Sequence, residues 1–444
     1  MSEARAIKGR VILKGDPAYA AALGEASFNA REVGRFPDVI VCARDADDVM
    51  AAVRLAKDRS MKIGVRSGGH NWAANHRRDG GMLLDVSALK GVSVDAPAMT
   101  ATAGPGTVGS ELLLKLMRQN LFFPAGHCEG VCLGGYLLQG GFGWHSRELG
   151  PACESVIGID YVDADGQLRH ANANENAGMY WAARGSGPGF FGVVTRYHLR
   201  VYAKPKVIAA KAMAYPLSQA EAVFRWAHRV GPEIPRSIEL NMVMSRHIPF
   251  LRGPGFQIVA PVFEDDWASA RKAVSFMKSR PKGAAYVTPL LPVRLSWMYK
   301  GVMGHYPHDH SYAVDNMWTR APIDQLMPGL LRIVETLPAA PSHMLWMNWA
   351  PPATRPDMAF SVEDSIYIAL YGVWKDPKLT PTNGVWAVDN MRAMSALSTG
   401  VQLADENLGQ RPAPFLASAN LARLDALRAK HDPDGRFHPY MGRL

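Results

Sequence analysis

PAGHCEGVCLGGYLLQGGFG, residues 124–143, is the segment from which the rest of the chain can be read. Seven of its twenty residues are glycine (Gly126, Gly130, Gly134, Gly135, Gly140, Gly141 and Gly143), and two are cysteine, Cys128 and Cys132. Glycine loses more backbone freedom on folding than any other residue, so this density needs a compensating reason. Either the segment is a run of tight turns, or its backbone takes positive φ and approaches a ligand closely. The flanking sequence decides between the two.

Upstream, VIVCA (39–43) reads as a strand followed by a helix, with Asp45 as N-cap and Val49, Ala52, Val53 and Ala56 on the apolar face. KIGV (62–65) is a second short strand that runs straight into RSGGHNW (66–72). A strand ending in a small-residue turn can aim backbone N–H groups at an anion, with Arg66 adding charge; a plain strand–loop connection carries the same turn signal. MLLDVSALKGVSVD (82–95) reads as two strands around a turn, MTATAGPG (99–106) as a strand and loop, and GSELLLKLMRQ (109–119) as a helix. Downstream, VIGIDYVDADGQLRHA (156–171) is a strand–turn–strand with Ala164-Asp165-Gly166 at the turn, and residues 179–202 hold a short helix, a glycine-rich loop and a long strand. This order is α+β, without a regular βαβ repeat, and no GxGxxG lies between a strand and a helix.

After Lys204-Pro205 the glycines thin out and Met, Trp and Tyr become frequent. SIELNMVM (237–244), FQIVAPVF (256–263), HMLWMNWA (343–350) and SIYIALYGVW (365–374) read as strands, with helices over 218–230 and 321–337. The pattern predicts an antiparallel sheet covered by helices on one side, with the strands at 343–350 and 365–374 facing a pocket on the other. Most of the Met and Trp side chains are expected in the core. The segment 419–442 reads as a helix stopped at His431-Asp432-Pro433-Asp434-Gly435, then a tail.

At 444 residues, with 48% hydrophobic and 20% charged, the chain can form two or more domains with buried cores. It has no run of eighteen apolar residues, and MSEARAIKGRVILKGD at the N-terminus has no apolar stretch behind its charges, so no membrane span and a cytoplasmic location are expected. The net charge of +9 is spread along the chain, which fits an anionic ligand such as a dinucleotide, or solubility alone, and not a nucleic-acid stripe. The four cysteines (Cys42, Cys128, Cys132 and Cys153) form no disulfide framework, and Cys128 with Cys132 lacks nearby partners for zinc, so no metal is expected.

Four segments, VRSGGHNW (65–72), residues 124–143, WAARGSGPGFFGVVT (181–195) and LRAKHDPDGRF (427–437), resemble in that order the berberine-bridge-enzyme-like oxidases, within the vanillyl-alcohol-oxidase type that carries the PCMH-type FAD-binding domain. The resemblance implies a two-domain α+β fold: an FAD domain from residues 1–205, completed by 406–444, and an inserted antiparallel-sheet substrate domain over 206–405. It implies FAD as the cofactor, attached through His70 to the 8α-methyl group and also through Cys128 to C6, with Cys132, where the family has glycine, as the weaker candidate. A neutral imidazole and a thiolate are the nucleophiles such links require, and free N–H groups of a glycine-rich loop can lower a thiol pKa. It further places Arg66, Ser67, Gly68, Gly69, Asn71, Val193 and the seven glycines of 124–143 around the cofactor, and Val131 at the position gating oxygen, where valine favours an oxidase.

Three family positions depart. The Tyr-x-Asn pattern aligns with Gln402-Leu403-Ala404, a proline is replaced by Glu129, and an aspartate by Glu154. The substrate-side base therefore does not carry over. Tyr367 and Tyr371 are four residues apart on one strand and share a face, which fits either catalysis or sheet packing. His305, Tyr306, His308 and His310 are expected in a solvated loop. The function implied is an FAD-dependent oxidase acting on an alcohol or amine carbon of a small molecule, which the Trp- and Met-rich strands suggest is mainly apolar or aromatic. Hydride passes to flavin N5, and O2 is reduced to H2O2. The alternatives are a dehydrogenase with another acceptor, or a flavin-binding protein without redox turnover.

Overall fold

The computed structural model describes residues 6–443. A small mixed sheet comes first, from β1 (Arg10–Leu13), β2 (Val39–Cys42), β3 (Ile63–Arg66) and β4 (Met82–Asp85) in the spatial order β1-β2-β4-β3. β2, β4 and β3 run parallel, and β1 is antiparallel at the edge. The helix Ala46–Asp58 crosses from β2 to β3, and Asp45 caps it by accepting the Asp48 N–H, as its sequence predicts.

An antiparallel sheet follows, made by β5 (Val92–Asp95), β6 (Thr100–Ala103), β8 (Val156–Val162), β9 (Leu168–Asn172) and β10 (Val193–Arg200) in the order β5-β6-β10-β8-β9. A short β7 (Leu121–Phe122) pairs with β11 (Tyr202–Ala203). The two strands expected within residues 82–95 both form, but β4 and β5 belong to different sheets. The residues give the reason: MLLD is apolar on both faces and suits an inner parallel strand, while VSVD alternates and suits a half-exposed one.

The third sheet is antiparallel and eight-stranded. It contains β12 (Val207–Pro216), β13 (Leu240–Ser245), β14 (Gly255–Glu264), β15 (Tyr286–Val287), β16 (Leu291–Pro292), β17 (Ser311–Thr319), β18 (His343–Asn348) and β19 (Ile366–Trp374). Its path is β15-β12-β14-β13-β18-β19-β17, with β16 beside β12. The period of two sorts the side chains onto two faces. Met242, Met244, Met344, Trp346, Ile368 and Leu370 pack into one core with the helices Ala220–Val230, Ile323–Thr336 and Thr380–Ala393. Asn241, Val243, Leu345, Met347, Tyr367 and Tyr371 face the other way, onto a cavity.

The C-terminal helix Ser418–His431 stops at Asp432, whose carboxylate accepts the N–H groups of Arg436 and Phe437 at 2.6 and 3.1 Å. That turn brings Phe437 beside Ile63 in a parallel bridge and lets Arg436 donate to the carbonyls of Ala56 and Met61. The last segment thus joins the first sheet. Arg411 ties the same region to β17 by a buried two-pronged ion pair with Asp315, at 2.5 and 2.9 Å. Among the described residues no helix is long and apolar enough to cross a membrane.

Candidate active site

A long cavity runs from the turn after β3, past the glycine-rich segment, to the inner face of the third sheet. Arg66, Ser67, Gly68, Gly69, His70 and Asn71 line it on one side, and Gly126, Cys128, Val131, Gly134, Gly135 and Gly141 on the next. The two loops are pressed together. A Cβ on Gly134 would sit 2.6 Å from Ser67 Oγ, so only glycine lets the backbones approach this closely. Gly130, Gly140 and Gly143 are not on the wall. A Cβ on Gly143 would lie 2.1 Å from the Ala125 carbonyl, so this glycine serves internal packing rather than a ligand. Val193 also points away into the core, while Val194 lines the cavity, because neighbouring strand residues face opposite sides.

His70 lies against Gly130 and stacks on Phe28, with ring centroids 4.7 Å apart. Burial, then the charge of Arg66, pushes its pKa down to about 4, so the ring is neutral at neutral pH. Cys128 behaves otherwise than a glycine-rich loop suggests: burial, reinforced by Asp405, pushes its thiol up to about 12. Cys132 also lines the cavity, but its Sγ donates to the Gly106 carbonyl at 3.4 Å.

The inner face of the sheet carries an aromatic cluster that includes Tyr306, Tyr312, Trp318, Trp349, Tyr367 and Tyr371, with Trp72, Phe142 and Cys128 packed against it. At its centre is Asp405. Its Oδ2 accepts hydrogen bonds from Tyr367 at 2.5 Å and Tyr371 at 3.0 Å, and its Oδ1 accepts one from Trp72 Nε1 at 2.7 Å. Burial raises the Asp405 carboxyl above its usual range although these three donors pull the other way. Burial, then the charge of Asp405, holds both phenols well above their usual value. The solvated loop expected at 305–310 is only partly so. Tyr306 is buried in the aromatic cluster and His305 lines the cavity, while His308 is exposed.

Comparison with known proteins fits this geometry. Residues 37–172 match the family model described as an FAD binding domain. The FAD-linked oxidoreductase nodO of Hypoxylon pulicicidum is 30% identical over 417 residues, covering 92% of each chain. This chain belongs to the FAD-linked oxidoreductases. (R)-6-hydroxynicotine oxidase of Paenarthrobacter nicotinovorans is 31% identical over 215 residues, 48% of this chain and 46% of that one. Two solved structures share the fold: BBE-like 1 of Physcomitrella patens, with a TM-score of 0.85 at 20% identity over 100% of this chain and 99% of the other, and 6-hydroxy-D-nicotine oxidase of Arthrobacter nicotinovorans, with 0.84 at 19% over 98% of both.

The residues of this oxidoreductase fit a polar cofactor such as FAD. Arg66 Nε, Asn71 Nδ2 and His438 Nε2 are buried without a hydrogen-bond partner among the described residues, and all three side chains line the cavity. Of the departures from the family, Glu129 is exposed and Glu154 bonds Arg355 at 2.6 Å. Gln402 caps the turn before Asp405 by accepting the N–H groups of Ala404 and Asp405. Sequence reasoning missed Asp405 because it searched for a tyrosine at 402; an aspartate three residues on, next to an apolar turn, was the available signal. Among the described residues the group able to hold a metal, Asp160, His170 and His198, lies off the cavity wall. There the Asn172 amide faces His170 Nε2 and leaves the proton on Nδ1, donated to Asp160, so the three form a satisfied hydrogen-bond set.

Proposed function

We propose that this oxidoreductase holds FAD covalently through His70 and Cys128 and oxidises an alcohol or amine carbon of a mainly apolar, aromatic small molecule, with dioxygen as acceptor. Residues 1–205 with 406–444 hold the cofactor, and 206–405 supply the substrate face. When bound, FAD would supply the redox chemistry, accepting the hydride equivalent of the substrate; O2 would take up the electron pair with that hydrogen and one further proton, giving H2O2. The chain's own residues handle binding, orientation and the proton.

The observation that carries this reading is Asp405. Two phenols held far above their usual pKa cannot serve as resting bases at neutral pH. The carboxylate to which both donate can. A substrate O–H or N–H proton reaches a tyrosine oxygen as that tyrosine passes its own proton to Asp405, which keeps it. A carboxyl raised by burial is better matched to this task than an exposed one. Trp72 fixes the other carboxylate oxygen, and the tyrosines that donate to it belong to the aromatic cluster. His70 keeps a free nitrogen lone pair at neutral pH, as a bond to the flavin 8α-methyl carbon would require. In forming it that carbon would lose a proton, and the electron pair left behind would reduce the flavin and then pass to O2. Cys128 must first lose its proton, so its link forms after FAD has bound. Val131 lines the cavity, and beside a bound flavin it would screen one approach to the ring. The four free cysteines support a cytoplasmic setting.

The test is anaerobic addition of aromatic alcohols and amines to the holoenzyme. The yellow flavin colour should bleach and return on admitting air. A flavin that bleaches but stays bleached in air would instead make the protein a dehydrogenase.

A further inference from the structure

The wall of the cavity away from Asp405 carries polar groups that the reaction above does not use. His127 Nε2 lies 2.8 Å from Glu239 Oε2, and the Glu239 side chain is only 2% exposed. The other Glu239 oxygen accepts the His145 backbone N–H. A carboxylate can only accept, so Nε2 carries the ring proton, and in the neutral ring Nδ1 keeps its lone pair. Nδ1 has no hydrogen-bond partner among the described residues, and His127 lines the cavity. Trp144 meets the imidazole edge-on at 4.4 Å between centroids and holds its plane. Asn241 on β13 lines the same part of the cavity, and its amide also makes no hydrogen bond among the described residues.

Strand register places these groups relative to the reacting end. Asn241 pairs with Met347, and Met347 with Tyr367, so Asn241 and Tyr367 stand in one row. Two strand spacings separate them, about 10 Å. Met347, and Val243 and Leu345 in the next row, make an apolar floor between. A ring nitrogen held in place and an amide, both facing the cavity without a protein partner, are open to a ligand group.

We propose that His127 and Asn241, with Glu239 holding the imidazole, form a second recognition pole that binds a hydroxyl or N–H group of the substrate about 10 Å from the carbon being oxidised. The enzyme is thus matched to an extended molecule with two polar ends and an apolar middle. This rests on the reading that Asp405 receives the proton of the reacting group.

The experiment compares biphenyl-4-methanol with 4'-hydroxybiphenyl-4-methanol, whose second hydroxyl lies two rings from the carbinol carbon. Binding to the holoenzyme is read by perturbation of the flavin absorbance, which needs no turnover, and reaction by anaerobic bleaching. The hydroxylated compound should half-saturate at about tenfold lower concentration, with a similar limiting bleaching rate. His127→Leu should erase most of that preference and leave the affinity for biphenyl-4-methanol unchanged. Asn241→Leu, which disturbs no hydrogen bond of the fold, gives the same readout should His127→Leu not retain FAD. Equal affinities in the wild type overturn the proposal, as does a preference that survives both substitutions. So does a shifted spectrum of the unliganded flavin with the preference intact, which would put the two residues on the cofactor. Absence of bleaching alongside a clear binding preference would instead refute the reaction reading and leave the pole standing.

Discussion

Asp405→Asn is the substitution that separates the proposed chemistry from packing. The carboxylate receives three donors, two on Oδ2 and one on Oδ1. The amide will keep its oxygen toward the two phenols and turn its NH2 toward Trp72, because the opposite orientation orphans two hydroxyls instead of one indole N–H. One lost hydrogen bond to a buried partner costs about 1–3 kcal/mol. Relief from burying a charge offsets part of this, since burial is the largest influence on Asp405. The fold and the flavin content should therefore change little. The reductive step should not be spared. General-base catalysis contributes roughly 10²–10⁴-fold, which is about 3–5 kcal/mol of barrier at 1.36 kcal/mol per decade. Anaerobic stopped-flow bleaching with the best substrate measures that step directly. Reduction by Asp405→Asn within about threefold of the wild-type rate, well below the smallest general-base effect, would refute the role given to Asp405. The pH dependence adds a signed check. The folded carboxyl lies above its unfolded value of about 3.9, so the native state binds the proton more tightly in that window. Stability then falls, and the reduction rate rises, as pH increases through the folded value. Asp405→Asn should flatten both.

Acid precipitation should leave the yellow colour with the wild-type protein and with His70→Ala and Cys128→Ala singly, and release it only from the double variant; colour freed from the wild type would refute both links. Val131→Ile should slow reoxidation of the bleached enzyme by air about tenfold, roughly 1.4 kcal/mol of barrier, and leave anaerobic reduction unchanged in stopped flow. Arg411→Met strands Asp315 as a buried charge and should lower stability by about 3–5 kcal/mol, read as the urea midpoint; Asp315→Asn combined with Arg411→Met should recover most of it.

The first half of the fold was legible because its signals are local. Asp45 caps its helix, Gly166 closes the 156–171 hairpin, and the apolar runs at 39–43 and 62–65 are strands. Two long strands of the second half were missed because their composition misleads. β12, VIAAKAMAYP, is rich in alanine, and β17 holds Asp315 and Asn316 in its middle. These two are tolerated only because Arg411 and the carbonyls of Gln402 and Asp405 satisfy them across the fold, a pairing no local pattern announces. In the site, Tyr367 and Tyr371 were visible from their spacing, but the atom that joins them comes from 34 residues further along the chain than Tyr371. The Cys128 thiol shows the same limit. Its loop suggested an activated sulfur, and only its burial beside Asp405 reveals the reverse.

Phe437 and His438 complete the cavity wall beside Ile63 and Arg66. A growing polypeptide meets this requirement late. The strand at Ile63–Arg66 leaves the ribosome more than 370 residues before its partner, so the pocket cannot close until that partner has followed it out. A nascent chain that shows only its first sheet therefore has no closed pocket in which to keep a cofactor.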